Sequence, residues 1–225
     1  MKILFIDILS DATYPSLHTG LDQNFTMEYA ASASDASEKI HLYEYDCIIL
    51  CCSLTDKKTG KVLSDIAAIS RDSGLIILSK ENSVEHKIQS LHAGADDCLP
   101  LPYHPEELNA RIVAVVRRKK FNARDKIHFA NMVIDLGTKE VSIWNTHLLL
   151  TRKEYDIVLY LVMNHTKTVS PAKMTDYLWG EEAENKEASN LLITHIKNLR
   201  KKLKLAKAEL EIKNIYGVGY KIIEL

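Results

Sequence analysis

Residues 189–203, SNLLITHIKNLRKKL, set amides, a hydroxyl and ammonium groups three and four positions apart. On a 3.6-residue period Asn190, Thr194, Lys197, Asn198 and Lys201 share one face, while Leu192, Ile196, Leu199 and Leu203 form an apolar stripe on the other. One side can pack and the other can hydrogen-bond. In the major groove of DNA an Asn amide pairs with adenine through two hydrogen bonds, and Lys reaches guanine or phosphate. Arg200 and Lys202 suit backbone phosphate. A basic amphipathic surface helix would show the same spacing, so the next segment matters. Residues 213–223 alternate as a strand broken at Tyr216-Gly217-Val218-Gly219-Tyr220, where two glycines bracket a tight hairpin. A helix followed by such a hairpin makes a winged helix.

The second set of reactive side chains is Cys47, Cys51, Cys52 and Cys98, all in the first half. Their spacing matches no common zinc pattern, so no metal site is expected, and in a reducing compartment they are thiols. The adjacent pair Cys51-Cys52 leaves a thiol redox sensor as an alternative function. Reactive thiols need nearby positive charge to lower their pKa, and no basic residue adjoins the pair.

Charge is divided unevenly. Through Arg118, 11 basic residues accompany 17 acidic ones, a net of −6; from Lys119 onward 18 accompany 13, a net of +5, which together give the chain's −1. The positive half is the one with the candidate DNA helix, as a nucleic-acid contact requires. With no apolar run of about 18 residues and no signal-like start, the chain is expected to be cytoplasmic and away from membranes.

The elements that must position these groups differ between the halves. Short apolar runs at 2–6, 47–52 and 75–78 alternate with helical segments at 34–41, 61–70 and 84–93. That alternation predicts a doubly wound α/β domain with a parallel sheet covered on both faces. Residues 117–126 are charged and without an apolar period. Beyond them HFANMVIDL, EVSIW and HLLLT read as strands, with turns at Gly137-Thr138 and Asn145-Thr146. Thr151 with Glu154 forms a capping box for a helix whose buried side carries Tyr155, Val158, Leu159 and Val162, and Ser170-Pro171 opens the next. The domains predicted are 1–118, a linker at 119–126, and 127–225.

LTRKEYDIVLYLV, SPAKMTDYLWG, SNLLITHIKNLRKKL and YGVGY, in that order, resemble the winged-helix effector domain of OmpR/PhoB-type response regulators. KILFID, YDCIIL, LIILS and GADDCLPLPY likewise resemble the first, third, fourth and fifth strands of a five-stranded, flavodoxin-like receiver domain. The resemblance implies a DNA-binding transcription regulator that is neither an enzyme nor a cofactor protein. It also makes His195 a phosphate contact, although its place on the helix flank equally permits a packed histidine, aligns Ile193 with an exposed position suited to a thymine methyl, and puts Tyr216 where the family's wing has a minor-groove arginine, with Lys213 a stand-in. In relatives the turn before the DNA helix meets RNA polymerase; here its acidic Glu181, Glu182 and Glu184 read either so or as a solvated loop.

The receiver resemblance breaks at the strand ends, where family members hold Mg²⁺ with carboxylates and take a phosphoryl group. Asp7 stands for the acidic pair, Cys51 (or Cys52) for the acceptor Asp, Ser79 for the hydroxyl residue and Leu101 for the Lys. Asp56 reads as a loop residue, and Cys98 replaces the family's aromatic switch. These departures predict a receiver that does not accept phosphate, which argues against a catalytic phosphorelay module. The family's pairing surface, spanning the helix after the fourth strand, the fifth strand and the helix after it, is represented by Lys87, Asp96, Asp97, Glu107, Arg111 and Arg117 or Arg118. The resemblance implies a homodimer with Lys87–Glu107 and Asp97–Arg111 paired across a two-fold axis.

Overall fold

Apolar runs too short for helices and hydrophobic on both sides are stable only inside a covered sheet. In the computed structural model, which describes residues 1–9, 25–121, 123–180 and 186–225, those runs are β1 (Lys2–Asp7), β3 (Cys47–Cys51) and β4 (Gly74–Ser79), joined by β2 (Thr26–Ala30) and β5 (Asp97–Pro100). All neighbours are parallel and the order is β2-β1-β3-β4-β5. The helices are α1 (Ala33–Leu42), α2 (Lys57–Ile69), α3 (Val84–His92) and α4 (Pro105–Phe121). Ser32, Asp56 and Ser83 cap the first three, each side chain accepting a backbone N–H of the first turn. Asp56, read from sequence as a loop residue, is therefore a helix cap.

The pleat sends alternate side chains into two cores. Ile3, Phe5, Ile49, Ile76 and Leu78 pack against Leu108, Ile112 and Val115 of α4. Leu4, Ile6, Ile48, Leu50 and Ile77 pack against Ala36 and Ile40 of α1 and Val62 and Ile66 of α2. The fold is thus the doubly wound α/β sheet expected.

Helix α4 runs into the stretch expected as linker. Lys119 lies 3.3 Å from Asp96, Lys120 pairs with buried Asp46, and Phe121 packs on the α4-side core. Burial alone would raise the Asp46 carboxyl, but Lys120 and the N-terminal ammonium hold it below its ordinary value. These anchors give the last helical turn the partners that its apolar pattern lacked. The chain divides into the units Met1–Ala123 and Arg124–Leu225.

The second unit begins with an antiparallel meander, β6 (Lys126–Phe129), β7 (Met132–Asp135), β8 (Glu140–Ile143) and β9 (Thr146–His147). HFANMVIDL, read as one strand, is two, because Ala130 turns the chain at φ +50°. Of HLLLT only His147 is in a strand, beside Thr146 in β9. Trp144 and Asn145, both at positive φ, close the β8–β9 hairpin with the two-residue geometry that suits strand twist. Helices α5 (Arg152–Met163), α6 (Pro171–Trp179) and α7 (Lys186–Leu205) follow, then the hairpin β10 (Leu210–Ile215) and β11 (Gly219–Glu224). The Thr151–Glu154 capping box and the Ser170-Pro171 start form as expected. Helix α5 is buried from Glu154 through Val162, all round rather than on one side.

Glu154 is the hinge of the polar packing here. Its Oε2 accepts from the Thr151 N–H at 2.8 Å and from Lys202 Nζ at 2.7 Å, and Lys202 also donates to the Leu149 carbonyl at 2.8 Å. Burial acts to raise the Glu154 carboxyl, but the Lys202 and Thr151 hydrogen bonds outweigh it and hold the group low. A group so depressed contributes stability above its unfolded pKa, near 4.5, and loses it as pH falls through the folded value. Because Lys202 is about one-third exposed, Lys202→Met is expected to cost roughly 1–3 kcal/mol at pH 7, less than for a fully buried pair. In urea unfolding of the second unit the deficit should shrink below pH 4.5, as Glu154 protonates in both proteins.

Candidate nucleic-acid interface and strand-end site

Helix α7 starts at Lys186, earlier than the motif suggested, and residues 181–185, with Glu181, Glu182 and Glu184, lie outside the described residues. Its stripe is buried as expected, with Leu192, Ile196, Leu199 and Leu203 each no more than 3 % exposed. Asn190, Ile193, Thr194, Lys197, Asn198 and Lys201 are all exposed. The Thr194 hydroxyl donates to the Asn190 carbonyl at 3.0 Å, so its remaining lone pairs can only accept. The face therefore offers two amides, two ammonium groups, one acceptor hydroxyl and one apolar tip, the mixture that reads base edges.

The flanks of α7 are committed to the fold. At about 100° per residue, Ile193 and Arg200 fall on one flank and His195 and Lys202 on the other. Arg200 Nε donates to the Ile212 carbonyl at 2.8 Å and its Nη2 to Asn214 Oδ1 at 2.9 Å. Lys202 is held by Glu154 and Leu149. Both were read as phosphate contacts, and in the free protein both also brace the helix to its neighbours. No sequence signal marks these partners, which are 12 and 48 residues away. His195 is half-buried, its ring 6.3 Å from that of Trp179.

The hairpin beside the Arg200 flank turns at Tyr216-Gly217-Val218. Gly219 is required there: a Cβ would lie 2.0 Å from the Val169 carbonyl oxygen, and φ is +150°. Val169 and Tyr220 exchange both backbone hydrogen bonds at 2.8 Å. Tyr216 stands fully exposed at the tip. Lys213, the stand-in for a minor-groove cation, pairs with Glu211 at 3.0 Å.

In the first unit the strand order reverses between β1 and β3, where ligands of such sheets bind at the carboxyl ends. Asp7 and Cys51 are register partners there, and Cys51 is fully buried. Asp7 accepts the Leu9 N–H at 3.1 Å and, weakly, the Tyr29 hydroxyl at 3.5 Å. Ser79 is buried, its Oγ accepting the Glu81 N–H at 3.2 Å. Leu101 is packed in the apolar cluster with Cys51, Leu78 and Leu99, with Tyr103 against it. The four expected strand-end positions thus sit at one end of the sheet, and Leu101 has joined the core. Among the described residues no group of three or more His, Cys, Asp or Glu is arranged to hold a metal ion.

Cys51 faces the α4-side core and Cys52 the opposite one. Burial pushes both thiols up, Cys52 to about 12 and Cys51 further, with Asp7 adding to the rise at Cys51. Cys98 on β5 is only partly buried; burial and then Asp97 raise it.

On α3, Val84, Ile88 and Leu91 are exposed at i, i+4 and i+7, with Lys87 exposed beside them. Arg111 bonds Asp97 at 2.8 Å and Glu107 at 2.9 and 3.0 Å within one chain. The Asp97–Arg111 pair expected across a dimer axis is therefore already closed inside the subunit, because both residues face the same groove between β5 and α4.

Among the described residues no helix is long and apolar enough to cross a membrane. Residues 14–113 match the response regulator receiver domain family, and residues 145–222 match the C-terminal domain of transcriptional regulatory proteins. The cell cycle response regulator CtrA of Brucella anthropi is 33 % identical over 186 residues, covering 81 % of this chain and 78 % of that protein. CtrA of Brucella ovis gives the same figures. The solved response regulator DrrB of Thermotoga maritima, an OmpR/PhoB homolog, is 25 % identical over 98 % of this chain and 97 % of that one, with a TM-score of 0.45. A receiver joined to a winged helix, with relatives that are response regulators rather than enzymes, makes the chain a member of the OmpR/PhoB-type response regulators, a two-component DNA-binding regulator of transcription.

Proposed function

We propose that this regulator binds tandem DNA half-sites as a homodimer and does so without phosphorylation. The observation that carries this reading is the strand-end site: a buried thiol stands at the acceptor position in register with Asp7, and Leu101 is buried in the core. A divalent cation needs several oxygen ligands and compensating negative charge. Asp7 is the one carboxylate of the four expected positions, and it already accepts the Leu9 N–H and, weakly, the Tyr29 hydroxyl. A thiol cannot form the acyl phosphate that the family's aspartate forms.

The DNA contacts proposed are Asn190, Ile193, Thr194, Lys197, Asn198 and Lys201 from α7, His195 from its flank, and Tyr216 from the hairpin. Arg200, with two donors committed, keeps only its remaining N–H groups for phosphate. The pairing surface proposed is α3, β5 and α4, with Val84, Ile88 and Leu91 as its apolar centre. Lys87 of one copy would reach Glu107 of the other, while Asp96, Asp97 and Arg111 form a preassembled charged rim. Exposed ion pairs contribute at most about 1 kcal/mol each, so burial of the apolar stripe would carry the association. The domain assignment follows: a receiver-like pairing unit, then a winged helix, acting in the cytoplasm. The acidic residues before α7 remain the candidate contact for RNA polymerase.

The redox alternative is disfavoured by burial. A sensing thiol is a thiolate exposed to oxidant, whereas Cys51 and Cys52 are fully buried and raised.

Three measurements test these points. Footprinting of genomic fragments retained by the untreated protein should show two direct half-sites about one DNA turn apart, and incubation with acetyl phosphate and Mg²⁺ should change neither the footprint nor the protein's mass. Sedimentation of the full chain at micromolar concentration should give a dimer that Ile88→Asp converts to monomer; a wild-type monomer would end the pairing proposal. Native alkylation near pH 8 should modify Cys98 well before Cys51 or Cys52.

A further inference from the structure

Helix α3 is packed the wrong way round for its composition. Its two buried residues, His86 and Ser90, are polar, while Val84, Ile88 and Leu91 are 66, 48 and 49 % exposed. At about 100° per residue the inward pair and the outward stripe are centred about 150° apart. The inward face is also poorly satisfied. His86 Nδ1 lies 3.2 Å from Glu81 Oε2, but its Nε2 is shielded from solvent and has no hydrogen-bond partner among the described residues. The Ser90 hydroxyl donates to the His86 carbonyl at 3.0 Å, within the helix itself. The neighbouring strand β5 offers apolar surface instead: Cys98, close enough to Lys87 of α3 to feel its charge, faces the same core as Leu75 and Ile77 of β4. Both ends of the helix suit a rotation. Residues 80–83 before it are exposed, and Gly94 after it has φ +99° with open space where a Cβ would stand.

We infer that α3 is a two-position helix, with its apolar stripe turned outward in a paired copy and inward in a single one, so that pairing and the roll are one equilibrium. This rests on the pairing surface proposed above. In the outward setting, the one in this structure, a second copy covers Val84, Ile88 and Leu91 while the Glu81 contact steadies the inward imidazole. Without that cover, turning the stripe onto the sheet takes it out of water and returns the imidazole and the Ser90 hydroxyl to water. Each setting satisfies what the other leaves unsatisfied, and an element of that kind is bistable. Residue 86 thereby governs pairing from a position that the partner does not touch. Whatever suits a side chain at 86 to the inward face raises the fraction of single copies ready to pair.

The test uses the full-length chain, with sedimentation to measure the dimer and brief diethyl pyrocarbonate treatment, read by peptide mass spectrometry, to measure imidazole exposure. His92, exposed at the end of α3, is the internal reference. At concentrations that give dimer, His86 should react far more slowly than His92, and on dilution to monomer its rate should rise about tenfold or more. A slow His86 in the monomer would overturn the roll while the dimer stood. Ile88→Asp, whose charge opposes burial of the stripe, should give a monomer in which His86 stays slow; a fast His86 there would mean fraying and would equally end the roll. His86→Leu should tighten the dimer about tenfold, the gain expected where about one single copy in ten holds the outward setting unaided. A role confined to packing would leave the dimer unchanged or weaker, and either result would overturn the inference. A wild-type monomer at every concentration would end the pairing reading; the inward roll would then stand if His86 were fast and fall if it were slow.

Discussion

Burial of Leu192, Ile196, Leu199 and Leu203 under α7 is the contact on which the second unit rests. Each such side chain contributes about 1.5–3 kcal/mol on leaving water, so the four together are comparable to the whole stability of a small domain, about 5–15 kcal/mol. Other elements are then tied to the helix by single polar groups. Lys202 holds the start of α5, and Arg200 holds the hairpin. Asn131 in the β6–β7 turn donates to the Lys207 carbonyl and accepts from the Glu209 N–H. The apolar stripe fixes where the helix lies, and these bonds fix how it is rotated. Rotation decides which residues face solvent, so the packing side of α7 determines which side chains are left for a partner.

The strand-end site depends on a different constraint. A parallel sheet with order β2-β1-β3-β4-β5 creates an open crevice at its switch point whichever side chains occupy it. Topology supplies the position, and chemistry requires the charge. In this chain the four positions hold one carboxylate, a buried thiol, a buried hydroxyl and a leucine packed in the core. Retaining the fold while changing its floor is possible because the sheet's stability comes from its two apolar faces, not from the strand ends.

Much of this was legible in the sequence where periodicity is strong. The continuous runs CIILC and GLIILS could only be buried strands, the capping box at Thr151 announced α5, and the stripe of α7 followed from its period. What failed to show was tertiary. Arg200 and Lys202 have the charge of phosphate ligands, and nothing local reveals that Ile212, Asn214, Glu154 and Leu149 claim their donors first. Likewise the α4 extension has no apolar period, because Lys119 and Lys120 are held by Asp96 and Asp46 rather than by hydrophobic contact. The turn at Ala130 was hidden for another reason: alanine at positive φ carries no turn signal.

The alternation of side chains along β3 separates Cys51 from Cys52 more completely than their adjacency suggests. One faces α4, the other faces α1 and α2, and Cys47 sits at the far end of the same strand. Because β3 is the central strand, none of the three can meet a solute unless a face of the sheet comes away. They are built-in gauges of opening: the rate at which each becomes accessible reports the free energy of exposing its own layer. Two residues that differ by one position can therefore tell whether the helical layers detach together or one before the other.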